Sequence, residues 1–144
     1  FLEGITVLPD QIRKAEIAMV KVCLRALQLG AFVSKPVFEG ARYDYIIEIG
    51  GKLYRAQIKY ADGRTSRRTQ GAVYLNLRKQ IKKNKNCPYD ESEIDALLIY
   101  LPKIDKICWF GPEIFSGKQG ISIRFAPTRN GRSKGCIAAE DFLW

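Results

Sequence analysis

The sequence predicts an α/β or α+β fold built on a central mixed sheet, and three features predict it. A long amphipathic helix stands near the N-terminus, a series of short β-branched and aromatic runs follows it, and 47% apolar content over 144 residues supplies one core. No internal repeat and no linker divides the chain, so the expectation is a single domain over residues 1–144.

From Ile12 to Leu29 apolar residues recur at helical spacing, with Asp10 after Pro9 as the expected N-cap and Gly30 as the expected stop. Next come Phe32 to Val37, Tyr43 to Ile49 and Leu53 to Tyr60, three strand-like runs split by Glu39-Gly40 and Gly50-Gly51, the last two forming a hairpin. An arginine-rich loop covers about 62–69, a strand is expected from Val73 to Leu77, and Arg78 to Lys85 reads as a lysine-rich turn. Ala96 to Tyr100 and Ile107 to Phe110 are further strands. Gly111-Pro112-Glu113 opens a short helical turn, Ile121 to Phe125 is the last strand, and about 127–135 is another basic loop.

Twenty-four Lys and Arg against fifteen Asp and Glu give a formal charge of +9, which on so small a body attracts polyanions. Nucleic acid is therefore the first partner to consider, with charge for solubility alone as the alternative. Cys23, Cys87, Cys108 and Cys136 are scattered and the chain has no His. That excludes a zinc site and any Cys/His or Ser/His nucleophile pair, and favours free thiols in a reducing compartment. The longest apolar run, Ala96 to Leu101, is too short to span a bilayer, and no signal-type leader opens the sequence. The expectation is a soluble, intracellular, cytoplasmic protein.

Four residues resist a purely structural account. On a helical wheel Ile12, Met19, Val20, Cys23 and Leu27 all fall within roughly 60° of Glu16. Glu16 is thus expected in the middle of the face that packs on the sheet, where it needs a cationic partner or an ion. Along the third run Arg55, Gln57 and Lys59 share one face of a strand, opposite Tyr54, Ala56, Ile58 and Tyr60. Asp44 is a lone acid between two tyrosines, and a turn at Gly50-Gly51 can bring it beside Gln57 and Lys59. Two carboxylates, an amide oxygen and an ammonium converging make a set of hard oxygen ligands for Mg²⁺ with a cation alongside. A buried ion network with no catalytic role is the alternative.

Glu16, then Tyr43-Asp44, then Gln57-Ile58-Lys59 resembles the PD-(D/E)XK nuclease signature in its Q-x-K form. The run from Ala41-Arg42-Tyr43-Asp44 through Gln57-Ile58-Lys59, with Ile94-Asp95-Ala96-Leu97 and Tyr100-Leu101-Pro102 downstream, is similar more closely to such nucleases encoded within group I introns, the homing endonucleases. The resemblance runs from about Arg13 to Phe125. Tyr43 stands where the family name has Pro, and Gln57 replaces the usual acid, removing one negative charge from the metal site.

The resemblance implies a restriction-endonuclease-like core, a central mixed sheet flanked by helices, and Mg²⁺- or Mn²⁺-dependent hydrolysis of DNA phosphodiesters. It implies Asp44 as the principal metal ligand, completed by the Gln57 side-chain oxygen and the Ile58 carbonyl. Glu16 would hold a metal-bound water or a second ion, and Lys59 would stand near the attacking water. Sequence discrimination has to come from other residues. Arg64, Arg67 and Arg68 are the candidates for reaching bases, and Arg78, Lys79, Lys82, Lys83, Lys85, Arg129, Arg132 and Lys134 for phosphates, each with solvated surface charge as its alternative. Cutting both strands of a duplex takes two active sites, so a homodimer or homotetramer is expected. Trp109-Phe110 and Phe142-Leu143-Trp144 could contribute to subunit contact or to the core. The competing functions are a non-catalytic nucleic-acid-binding domain, in which Tyr60, Tyr74 and Tyr89 would stack on bases, and a junction resolvase or repair nuclease on the same core.

Overall fold

The computed structural model describes residues 3–62, 71–82, 85–127 and 135–144. Helix α1 (Asp10–Gln28) is followed by strands β1 (Phe32–Ser34), β2 (Tyr45–Ile49), β3 (Lys52–Tyr60), β4 (Ala72–Asn76), β5 (Arg78–Lys82), β6 (Lys85–Pro88), β7 (Ala96–Leu101) and β8 (Lys106–Phe110). Helix α2 (Pro112–Phe115), β9 (Gly120–Arg124), β10 (Ile137–Ala138) and a 3-10 turn at Ala139–Phe142 complete the order. Five strands form the central sheet in the order β1-β2-β3-β7-β8; β3 and β7 run parallel and the other neighbours antiparallel, so the sheet is mixed as expected.

The hairpin between β2 and β3 turns in two residues. Gly50 and Gly51 have φ of 57° and 77°, the left-handed pair that matches the twist of the flanking strands and that side-chain-bearing residues adopt at a cost. It fixes the register Tyr45 to Ala56 and Ile47 to Tyr54. Strand β7 is buried along its whole length because both faces of the sheet are covered there. On one face Ala18, Val22 and Ala26 of α1 meet Ile47, Ala56, Ile58, Ala96 and Leu98. On the other, Leu97, Ile99 and Leu101 meet Val73, Leu75, Ile121 and Ile123 of a second, three-stranded sheet ordered β10-β9-β4, with Phe115 of α2.

Three expectations are corrected. Asp10 is the first residue of α1 and makes no cap; it pairs with Arg13 at 2.5 Å and Lys14 at 2.8 Å, an acid in the first turn where the helix dipole favours it. Arg78–Lys82 and Lys85–Pro88 are the antiparallel pair β5 and β6, where a turn was expected, because dense charge marks solvent contact and does not prevent backbone pairing. The strand before the hairpin begins at Tyr45, so Tyr43 and Asp44 lie just outside the ladder. Trp109-Phe110 and the C-terminal aromatics belong to the core: Phe110 is fully buried and packs on Phe142, while Trp109 packs on Tyr54 and Trp144. Among the described residues no helix is long and apolar enough to cross a membrane. All four cysteines are free, and burial pushes the Cys108 thiol up to about 11.

The parallel pair β3 and β7 is pinned at its start by Asp95. Its Oδ2 accepts from the Arg55 backbone N–H at 2.8 Å and from Arg55 Nε at 2.9 Å, Oδ1 accepts from Nη2 at 2.9 Å, and the Asp95 N–H donates to the Arg55 carbonyl at 2.9 Å. The Arg55 side chain, first of all, holds the Asp95 carboxyl below the usual carboxylate range. Both side chains are about a third exposed, so the Coulombic part is screened. An Asp95→Ala change should cost about 1–3 kcal/mol in urea unfolding, mainly through the stranded backbone donor. Because the folded-state value is depressed, this contribution is present above the ordinary 3.8 and is lost as pH falls below it; the gap between wild type and variant should therefore close on acidification.

Candidate active site

Asp44 sits where β2 has ended but β3 continues. Its N–H still bonds the Ala56 carbonyl at 2.8 Å. The next N–H on that side of β3 belongs to Ile58, and no strand residue faces it. The Asp44 side chain takes that bond, Oδ2 accepting from the Ile58 N–H at 2.8 Å, and also accepts from Gln57 Nε2 at 2.8 Å. The carboxylate thus takes the place of a strand residue beside β3, a spot we call the notch. That placement follows from the chain joining the ladder at Tyr45, one residue after Asp44.

Gln57 follows the alternation expected along β3, facing away from α1 with Arg55 and Lys59 while Ala56 and Ile58 face it. Its Nε2 donates to Asp44 Oδ2 and, more weakly at 3.5 Å, to the Ile58 carbonyl. One amide nitrogen thus lies between two oxygens, with a partial positive charge where two oxygens would otherwise repel. Rotating the amide by half a turn exchanges nitrogen for Oε1 and presents three oxygens to one point. The donor set fits Mg²⁺ or Mn²⁺, which take hard oxygens, keep several waters and need few carboxylates. Among the described residues no three His, Cys, Asp or Glu side chains gather as a metal site, so an ion here would rely on neutral oxygens and water for the rest.

Lys59 lies two residues further on the same face, and its Nζ stands 5.5 Å from the ring centroid of Tyr89. Arg42, from the run preceding Asp44, stands over the same ring at 4.9 Å and pairs with Glu93 at 3.0 Å. Tyr89 is 3% exposed; burial first, then the charges of Asp44 and Glu93 against Arg42, push its phenol up to about 12. A neutral aromatic floor therefore carries two cations beside Asp44. Tyr89 was weighed above as a base-stacking residue, and its burial rules that out; Tyr60 is half-buried against Tyr100, and Tyr74 is exposed. Nothing in the sequence spacing marks Tyr89 or Glu93, because both come from the segment before β7 and meet their partners through tertiary packing, Tyr89 with Lys59 and Arg42 and Glu93 with Arg42.

Glu16 is the residue the structure moves. It is exposed, about 120° around α1 from the centre of the buried stripe Ala18, Val22 and Ala26. The expected packing face was drawn through the bulky residues, whereas the face that packs carries small ones, which let the helix lie close to the sheet. The Tyr45 phenol is pushed up by burial, then by a hydrogen bond with Cys23, and then by the charges of both Glu16 and Asp44. A cleft of about 490 Å³, lined by Lys14 and Ala15 of α1 and by Ile58, Lys59 and Asp62, joins the first turns of the helix to the end of β3.

Of the candidate DNA contacts, Arg78 is exposed at the start of β5, and its backbone N–H bonds Asn76 Oδ1 at 2.9 Å. Lys79, Lys82 and Lys85 lie on the β5 and β6 backbone. Arg64, Arg67, Arg68, Lys83, Arg129, Arg132 and Lys134 lie outside the described residues.

The family model for PD-(D/E)XK endonuclease matches residues 10–144. The chain belongs to the PD-(D/E)XK endonuclease family. It is thus a DNA endonuclease by family, with the mixed-sheet fold the Q-x-K resemblance implied. A solved structure described as a bacterial homing endonuclease, I-Ssp6803I, is similar with a TM-score of 0.74 at 20% identity, covering 94% of this chain and 89% of that one. At that identity the likeness speaks for the fold. No curated protein matches the chain. In this PD-(D/E)XK chain the notch at the end of β2 is where Asp44, Gln57 and the Ile58 backbone meet.

Proposed function

We propose that this chain is a Mg²⁺- or Mn²⁺-dependent, sequence-specific double-strand DNA endonuclease of the homing type. It forms one nuclease domain over residues 1–144, with basic loops at about 62–69 and 127–135 and the basic strand pair β5 and β6 between them. The observation that carries the proposal is the Asp44 carboxylate, held by the Ile58 N–H and Gln57 Nε2 just before β2 begins.

Asp44, the Gln57 side-chain oxygen and the Ile58 carbonyl are the residues that would hold the ion, and Glu16 would act from the α1 side of the notch on water or a second ion. The bound ion would supply Lewis-acid activation of water and of the scissile phosphate. Lys59, held over the Tyr89 ring, places a positive charge where negative charge grows on the phosphate and favours loss of a proton from the attacking water. Attack leaves a 5′-phosphate and a 3′-hydroxyl. Arg64, Arg67 and Arg68 are proposed to read bases, and Arg78, Lys79, Lys82, Lys83, Lys85, Arg129, Arg132 and Lys134 to neutralise phosphates. A homodimer or homotetramer would present one site to each strand.

The test is incubation with a random linear duplex library and Mg²⁺, followed by sequencing of the ends. A recurrent site cut in both strands, abolished by chelation and restored by Mg²⁺ or Mn²⁺, is the expected outcome. DNA binding with no new ends under any divalent ion would leave the non-catalytic binding domain as the account that stands.

A further inference from the structure

The run that carries Asp44 precedes β2 and has to be fixed in place outside the ladder. Arg42, two residues before Asp44, supplies an anchor. Its side chain is 19% exposed; the guanidinium lies over the Tyr89 ring at 4.9 Å, with Nη2 3.0 Å from Glu93 Oε2 and donating to the Pro88 carbonyl at 3.4 Å. All three partners belong to residues 88–93, which close a turn: the Glu93 and Ile94 N–H groups donate to the Asp90 carbonyl at 3.1 and 3.2 Å. Arg55 ties that turn to β3, Nη1 donating to the Ser92 carbonyl at 2.8 Å and Nη2 to the Glu91 carbonyl at 3.3 Å. The contacts form a closed circuit. It leaves β3 at Arg55, crosses the turn to Arg42, follows the chain to Asp44, and returns to β3 at Gln57 and Ile58.

The Arg42 and Glu93 pair is a poor device for stability alone. Among the described residues neither Arg42 Nε nor Glu93 Oε2, both buried, finds a hydrogen-bond partner, so the charges lose water without full compensation. What the pair fixes is direction, because a planar guanidinium held by a ring, a carboxylate and a carbonyl has little freedom to turn. We infer that Arg42 is a positioning residue for DNA cleavage, gripping residues 88–93 so that the Asp44 carboxylate stays against the Ile58 N–H. Its effect on rate rests on the nuclease function proposed above; its effect on the placement of Asp44 does not. Moving a reacting group by about 1 Å can cost about 100-fold in rate, so a loosened anchor acts on the chemical step.

The test compares wild type with Arg42→Met, which keeps the stem over the ring and removes the charged fork. In the metal-free full chain, hydrogen exchange of the Ile58 amide reports its bond to Asp44 Oδ2. Arg42→Met should speed that exchange at least about tenfold while the amides of β7 keep their protection; a uniform loss of protection would mark a merely structural role and overturn the inference. In single-turnover cleavage the rate constant should fall about 10- to 100-fold with duplex affinity retained. Glu93→Gln, which keeps the side chain's size, should give a smaller change of the same kind in both measurements, and it decides the matter if Arg42→Met fails to fold. An unchanged rate constant, with or without weaker binding, or slow cleavage with the Ile58 amide still protected, would overturn the inference. A wild type that never cuts DNA, with the Ile58 result as expected, counts against the nuclease alone and leaves the placement of Asp44 by Arg42 standing.

Discussion

The Asp44→Ala variant is expected to bind duplex DNA with near wild-type affinity and to cleave it at least about 1,000-fold more slowly, since losing several kcal/mol of transition-state stabilisation costs three decades or more. Binding should survive because the affinity for DNA is proposed to come from the basic segments and their phosphate contacts, far more numerous than one carboxylate. The same substitution strands the Ile58 N–H, which Asp44 Oδ2 now satisfies at 2.8 Å, so it should also cost about 1–2 kcal/mol of stability. Asp44→Asn separates the effects. Its side-chain oxygen still accepts from Ile58, so stability should return toward wild type, while the missing negative charge keeps cleavage low. Single-turnover cleavage alongside urea unfolding distinguishes them, and cutting retained by either variant would remove Asp44 from the chemistry.

The Lys59→Ala variant should lose cleavage by about 100- to 1,000-fold, the range for removing one group that stabilises developing charge. The loss should appear in the chemical step, with affinity altered by no more than one phosphate contact and the slope of log binding against log salt reduced by about one at most. Because Lys59 Nζ stands over the Tyr89 ring, Tyr89→Leu should produce a smaller loss of the same kind, and Tyr89→Phe, which keeps the ring, should restore the rate. If Lys59→Ala weakens binding with the rate constant unchanged, the lysine is a phosphate contact and the assignment fails.

How far the sequence leads is clear from particular residues. Strand alternation and the double glycine at 50–51 placed Gln57 and Lys59 on one face and Asp44 opposite Gln57, because period-two geometry and a two-residue turn leave no freedom in register. The fold class followed from the helix and strand runs. The face of α1 did not, because a wheel weighted by hydrophobic bulk points to Ile12, Val20 and Leu27, whereas close approach to a sheet selects Ala18, Val22 and Ala26. The late start of β2 at Tyr45 was also illegible, and it matters more, since it turns Asp44 from a strand residue into the stopper of the notch. Tyr89 and Glu93 depend on the tertiary pairing of β3 with β7 and leave no local trace.

The proposed chemistry depends on a divalent ion meeting Asp44, Gln57 and the Ile58 carbonyl in that notch. Crystals soaked in Mn²⁺, with anomalous scattering used to locate the ion, test this most directly. The expected result is an anomalous peak about 2 Å from an Asp44 carboxylate oxygen and from the Ile58 carbonyl, with the Gln57 amide rotated so that its oxygen faces the ion. A peak bound elsewhere in the chain, or none in crystals of a protein that cleaves DNA with Mn²⁺, would contradict the account.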